Sequence, residues 1–250
     1  MTTIRAEWTK LWTVRSTWWT MLAAVVLMAA TAGQLAIYVA NGNTNDDPSD
    51  DAGGVPVGTV LIDSLELVQY AVLALGLLMI TSEFTTGTIR TTLQCTPSRG
   101  RVLLAKAVVT AAVTFGLGLL LGGAGALVAS PVLGEWGAAP AAGTLRDVVA
   151  LAAYLALIGV FALGLGAVLR SAVLTVTVLL AVLMIVPLSL REPDITALHR
   201  IADAFPGEAG RHLLAGDGQP YPPVVGLLLL AGWAAVALLA GRAALRRRDA

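Results

Sequence analysis

The chain alternates between long apolar stretches and short polar segments. A helix needs about 20 residues to cross a bilayer, and six stretches approach or exceed that length: Trp18 to Val39, Val60 to Thr81, Ala107 to Val132, Val148 to Leu169, Ala172 to Leu190 and Val224 to Gly241. Backbone polar groups must be satisfied within the element in lipid, and no stretch alternates with period two, so we expect helices rather than a barrel. The pattern predicts an all-α polytopic membrane protein with six transmembrane helices.

Residues 1–17, before the first stretch, have a different pattern. Apolar residues recur there at helical spacing beside basic ones, which predicts an amphipathic helix in the membrane interface, followed by the six-helix transmembrane domain over residues 18–250. The predicted interface residues are Trp8, Lys10, Leu11, Trp12 and Arg15. Two roles stay open for this helix: an anchor that orients the first span, or a contact surface for a cytoplasmic partner.

Composition agrees with a membrane protein and charge sets its orientation. Hydrophobic residues make up 57% of the chain and charged residues 13%, with a mean hydropathy of +0.80. The formal net charge is zero, which argues against a nucleic-acid-binding protein. Twelve of the 16 basic residues fall in the two termini and the even-numbered connections. Because basic residues stay on the cytoplasmic side, we predict that both termini are cytoplasmic.

Several chemistries are missing from the sequence. Cys95 is the only cysteine, so neither an internal disulfide nor a cysteine-based metal site can form, and His199 and His212 lack metalloprotease spacing. There is no GxxxxGK[ST] loop and no GxSxG elbow. We therefore expect no catalytic residue, no metal and no ATPase activity in this chain itself.

The connection after the second stretch, residues 82–106, lies in the segment TSEFTTGTIRTTLQCTPSRGRVLLAK. Thr86 or Thr88 is suited to cap a short helix whose apolar edge is Ile89 and Leu93, and Pro97 limits its length. By pattern alone this segment is either a basic loop resting on lipid or a short helix that transmits force from a soluble partner.

This segment resembles the loop between helices two and three of ABC-2-type transporter permeases, most closely the small actinobacterial branch. The opening AEWTKLWTVRSTWW is similar to the interface helix of that branch, and FPGEAGRHLL at residues 205–214 resembles its last outer loop. Cys95 departs from the pattern, which has a small or aliphatic residue there.

The resemblance implies a multi-pass permease in a bacterial cytoplasmic membrane, without a cofactor of its own. It implies an ABC ATP-binding subunit as partner, carrying ATP and Mg, and a second permease copy or paralogue that completes a dimer. The loop would then be the coupling helix that docks on the ATP-binding subunit. The docking residues it implies are Glu83, Gly87, Thr88, Ile89, Arg90, Leu93, Pro97 and Arg99.

Two other classes stay open: a secondary transporter, which needs gradient-coupling acids or broken helices near the midplane, and a non-transport membrane component. Asp63 and Glu66 lie one turn apart at the outer end of the second span. They are either a pair at the outer headgroups or the lining of an outward vestibule. For the outer loop 191–223, which contains five prolines, we expect short interfacial or re-entrant helices broken at Pro206.

Overall fold

A computed structural model describes residues 2–45, 51–89, 99–137 and 141–247. Within these ranges there is no β-strand, and nearly all residues are helical. The helices are α1 (Thr2–Thr13), α2 (Arg15–Gly42), α3 (Val57–Thr85), α4 (Arg99–Leu133), α5 (Ala141–Leu169), α6 (Ala172–Leu180), α7 (Val186–Arg191), α8 (Thr196–Asp203), α9 (Pro206–Ala215) and α10 (Pro223–Arg247).

The prediction of six membrane-crossing helices is confirmed. The spans are α2, α3, α4, α5, the segment Ala172–Arg191 and α10, and we call Ala172–Arg191 the fifth span. An even number of crossings places both described ends of the chain at one face of the bundle, here named the terminal face. The connection from α3 to α4 lies at this face, whereas α8 and α9 lie at the other, the opposite face.

Helix α5 is the centre of the bundle and packs against α3, α4 and α10. In its most apolar stretch 72% of the residues are buried, against 22% in the fifth span. Close approach to α5 depends on small residues: a Cβ on Gly76 would overlap the Gly159 carbonyl, and one on Gly118 would lie 2.6 Å from Ala152 Cα. Gly76 of α3 and Gly118 of α4 therefore serve packing within the chain.

Short breaks set the helix directions at the terminal face. The predicted interface segment 1–17 is divided, because extended Val14 separates α1 from α2 and Arg15 already belongs to the first span. The connection between the fourth and fifth spans is tight, since α5 ends at Leu169 and α6 begins at Ala172. Arg170 adopts a left-handed conformation (φ 57°) to make that turn.

The fifth span contains one irregular turn that its apolar pattern did not predict. Residues Ala181–Ile185 form a π-helical turn between α6 and α7. Pro187 follows it and has no N–H to donate to the carbonyl four residues earlier, that of Leu183. Beyond α7 two short helices occupy the outer loop, and Pro206 is the first residue of the second, as predicted.

Candidate functional site

A buried ion cluster joins three helices at the terminal face. Lys106 in α4 donates from Nζ to Glu7 Oε2 of α1 at 2.6 Å and to Glu83 Oε1 of α3 at 2.8 Å. Its third acceptor is the carbonyl of Met79, at 3.2 Å. The side chain of Lys106 is 1% exposed, so its ammonium depends on these three acceptors in place of water.

Lys10 is the second cation of the cluster. Its Nζ donates to Glu7 Oε1 at 3.1 Å and to Glu83 Oε1 at 3.0 Å. Partial burial lowers the pKa of Lys10, but hydrogen bonds and charge attraction from Glu83 and Glu7 outweigh it, so the net pKa is raised. The chain contains only two lysines, and both lie in this cluster. We call Glu7, Lys10, Glu83 and Lys106 the terminal ion cluster.

The terminal ion cluster fixes α1 against the bundle, and apolar contacts add to it. Leu11 is buried among Val109 and Val113 of α4. Trp12 packs between Trp8 and Trp18, with ring centroids 5.6 and 4.8 Å away. The predicted interface residues thus divide: Leu11 is buried, Lys10 reaches Glu7 and Glu83 from a half-exposed position, and Trp8 and Arg15 are exposed. Helix α1 is therefore docked on α4, in addition to any contact it makes with the membrane surface.

The segment that follows Glu83 is described only in part. Helix α3 ends at Thr85, and Gly87 takes a positive φ of 73°, a conformation that favours glycine. Thr88 and Ile89 are helical, and the Thr88 hydroxyl lies 2.9 Å from that of Thr86. Thr88 is exposed, whereas Ile89 is 4% exposed and buried within this chain.

The remaining predicted docking residues are Arg90, Leu93, Pro97 and Arg99. Arg90, Leu93 and Pro97 lie outside the described residues, as does Cys95. Arg99 is the first residue of α4. The predicted coupling loop thus leaves α3 beside Glu83 and enters α4 a short distance before Lys106.

At the opposite face, the two acids of the second span have different surroundings. Glu66 forms an ion pair with Arg211 of α9 and lines a cavity of about 300 Å³. Asp63 is exposed and does not line this cavity. Of the two predicted vestibule acids, only Glu66 therefore lines this cavity.

A second charge cluster holds the outer helices together. Arg191 at the end of α7 donates to Asp203 Oδ1 and Glu208 Oε2, both at 2.8 Å. Burial raises the pKa of Glu208; Arg191 and His212 oppose this shift and Asp203 adds to it. The Tyr221 hydroxyl donates to the Asp203 carbonyl, and burial, followed by the charges of Asp203 and Glu208, raises the pKa of Tyr221 to about 12.

The ion pairs that join distant parts of the chain were not predicted from sequence. Glu7 and Lys10 are three residues apart, and this spacing on a helix predicts that they pair. No sequence spacing relates Lys106 to either of them. The one signal was Lys106 itself, an isolated lysine at the edge of a long apolar helix, which needs a partner when buried. Within the described ranges, no group of three or more His, Cys, Asp or Glu side chains is placed to hold a metal ion.

The geometry at the terminal face is that of a joint: one charged cluster ties α1, α3 and α4 together where an exposed segment begins. Comparison of the sequence with models of known protein families and with curated proteins found no match.

Proposed function

We propose that this polytopic membrane protein is the permease subunit of an ATP-driven ABC-2-type exporter. In this proposal a separate ATP-binding subunit, with ATP and Mg, docks at the terminal face, which is the predicted cytoplasmic face. A second copy or a paralogue completes the transport unit. The similarity of residues 81–106 to the coupling loop of such permeases suggests the family, and the terminal ion cluster supports the proposed role of the loop.

The observation that carries the proposal is the position of the terminal ion cluster at the base of the loop. Glu83 lies two residues before the end of α3, and Lys106 lies seven residues after the start of α4. Their hydrogen bond closes the two helices around the loop, and Glu7 adds α1 to the same contact. A displacement of the loop would therefore move three helices together instead of bending one.

Contacts next to this cluster connect the loop to further helices of the bundle. Phe84, the neighbour of Glu83, packs under the guanidinium of Arg170, which lies 5.0 Å from the ring centroid. Arg170 belongs to the turn between α5 and α6. The movement caused by closure of the ATP-binding subunits would thus be transmitted to the central helix α5 and the fifth span as well as to α3 and α4.

The exposed part of the loop is the surface offered to a partner. Residues 85–88 are exposed among those described, whereas Ile89 is buried. A substitution of Ile89 would disturb the chain itself, so Gly87 and Thr88 are better test positions. A non-glycine residue at a positive φ is strained, most of all a β-branched one, so Gly87→Val would change the direction in which the loop leaves α3.

The test is co-purification of ATP hydrolysis from native membranes. Tagged chain, extracted in mild detergent, should carry a P-loop ATPase and Mg-dependent ATP hydrolysis, and Gly87→Val should remove both while the chain still inserts. Gly134→Val is the matched control, because Gly134 also has a positive φ (53°) and no neighbour around its Cβ position, but lies at the opposite face. Absence of ATP hydrolysis from the wild-type preparation, or equal loss in both variants, would contradict the proposal.

A further inference from the structure

The proposed function does not explain the cavity of about 300 Å³ at the opposite face. It lies between α3, α5, the fifth span and α9. Its apolar wall consists of Ile62, Leu65, Leu183, Met184, Leu188 and Leu214. Its polar wall includes Glu66, Gln69, Arg191, Glu208 and Arg211. Apolar walls with a few convergent polar groups are typical of a ligand site, and the volume is at the small end of that class.

The irregular turn of the fifth span shapes this cavity. Leu183 and Met184 belong to the π-helical turn and line the cavity, and turns of this kind recur at functional sites. Gly207 of α9 approaches the same turn closely, since a Cβ there would lie 2.5 Å from the Leu183 carbonyl oxygen. Helix α9 is thus seated against the turn and closes one side of the cavity.

The charged lining residues form two ion pairs, each between α9 and another helix. Arg211 pairs with Glu66 of α3, and Arg191 of α7 pairs with Glu208. The side chains of Arg211 and Glu66 are 52% and 53% exposed, and ion pairs so open to solvent contribute little stability, so either member can exchange its partner for a ligand. The four charges cancel, so a ligand with one positive and one negative group matches them, whereas a simple anion would face both carboxylates.

One open side of the cavity is apolar. Met184 and Leu188 line it and are 56% and 57% exposed. Both belong to the fifth span, the least enclosed of the six. A ligand that enters between these residues comes from the bilayer rather than from water.

We propose that this cavity binds the zwitterionic headgroup of a phospholipid that enters from the bilayer. The phosphate lies against Arg211 and Arg191, the amine against Glu66 and Glu208, and an acyl chain lies along Met184 and Leu188. This site does not depend on ATP-driven export, and the chain would bind the lipid with no ATP-binding subunit present.

The test uses a phosphatidylcholine with a diazirine in its acyl chain and the purified full chain in detergent micelles. Photolabelling should saturate with lipid and map to the fifth span by peptide mass spectrometry. Leu188→Trp, which fills the opening, and Arg211→Gln, which removes a phosphate contact, should each lower labelling at least tenfold. The matched controls are Leu174→Trp on the same span and Arg146→Gln, a half-exposed arginine of another ion pair; neither lines the cavity, and both should label as wild type.

Competition by unlabelled lipids tests whether the zwitterionic headgroup, the acyl chain or the net charge of the lipid determines binding. Unlabelled phosphatidylcholine or phosphatidylethanolamine should compete better than phosphatidylglycerol, and soluble glycerophosphocholine should compete poorly. Glu66→Gln should reduce the preference for the zwitterionic lipids, which gives a second test if Arg211→Gln lowers the yield of folded protein. Unchanged labelling in Leu188→Trp, stronger competition by phosphatidylglycerol, or equal competition by glycerophosphocholine would overturn the proposal.

Discussion

Lys106 Nζ lies 2.6 Å from Glu7 Oε2 although 99 residues separate them in the chain. This contact places the first helix of the protein on the third span, beside the end of the second. Both side chains are nearly inaccessible, at 1% and 3% exposure, so their charges depend on each other instead of on solvent. The terminal ion cluster thus holds α1, α3 and α4 together at the terminal face.

Lys106→Met should destabilise the protein strongly. The substitution leaves Glu7 and Glu83 with Lys10 as their remaining partner in the terminal ion cluster, and breaking a buried pair costs about 3–5 kcal/mol. Thermal unfolding in detergent, followed by circular dichroism, measures the loss. Arg101→Met is the control, because Arg101 is exposed on the same helix and should change stability by less than about 0.5 kcal/mol. Equal midpoints for the two variants would show that the pair contributes little.

Leu11→Ala should loosen α1 while the six spans stay folded. Leu11 is 5% exposed against α4, and truncation of a buried leucine costs about 2 kcal/mol or more. Hydrogen exchange should accelerate in α1 and stay unchanged in α5. Ile4→Ala, at a position 41% exposed on the same helix, should leave exchange as in wild type. Uniform acceleration along the chain would mean that α1 does not open as a separate unit.

Gly210→Ala should displace α9 from the bundle. A Cβ at Gly210 would overlap the ring of Tyr154, whose hydroxyl donates to Gln69 Oε1. Overpacking of this kind costs about 1–3 kcal/mol. Gly232→Ala is the matched control, because nothing lies near its Cβ position and alanine is the better helix former, which predicts unchanged or raised stability. A midpoint for Gly210→Ala that matches this control would contradict the close seating of α9.

Glu208 should make stability fall as pH rises. Folding raises the pKa of this carboxyl above its ordinary value of 4.5, so the folded state holds the proton more tightly than the unfolded state. The stabilisation is fully present below that value and is lost as pH rises through the raised pKa. Across this range, the wild-type unfolding midpoint should therefore fall more steeply than that of Glu208→Gln.

The control for this pH dependence is Glu192→Gln, at an exposed carboxyl that has no ion pair among the described residues. It should follow the wild-type profile. Arg191, Asp203 and His212 face Glu208 and are unchanged in both variants. An unaltered slope in Glu208→Gln would contradict the assignment of this pH dependence to Glu208.

The six spans could be predicted from sequence because apolar length is a local property that lipid enforces along each helix. The helix break at Pro206 could also be predicted, because the restriction that proline places on its own backbone is local. The terminal ion cluster was not readable, because Lys106 meets Glu7 only after three helices have packed. In the sequence Lys106 is one of the basic residues of the even-numbered connections, and its burial follows from the docking of α1.

At the opposite face, too, packing sets a difference that the local sequence does not indicate. Asp63 and Glu66 look equivalent in the sequence, one turn apart in one helix. Arg211 of α9 distinguishes them by pairing with Glu66 at the cavity. That contact depends on the path of the 20 residues from the end of the fifth span to Arg211, which includes the glycines that let α9 approach. The position of a short helix against distant spans depends on tertiary packing, and no local sequence pattern indicates it.

Site-specific photocrosslinking can show whether an ATP-binding subunit docks on the exposed segment after α3. A benzoylphenylalanine at Thr88, which is exposed, should crosslink in native membranes to a protein that contains a GxxxxGK[ST] loop. The same group at Leu145, 66% exposed at the opposite face, should not. A crosslink to such an ATPase from Thr88 alone is the predicted result. Crosslinks from both positions, or from neither, would contradict the assignment.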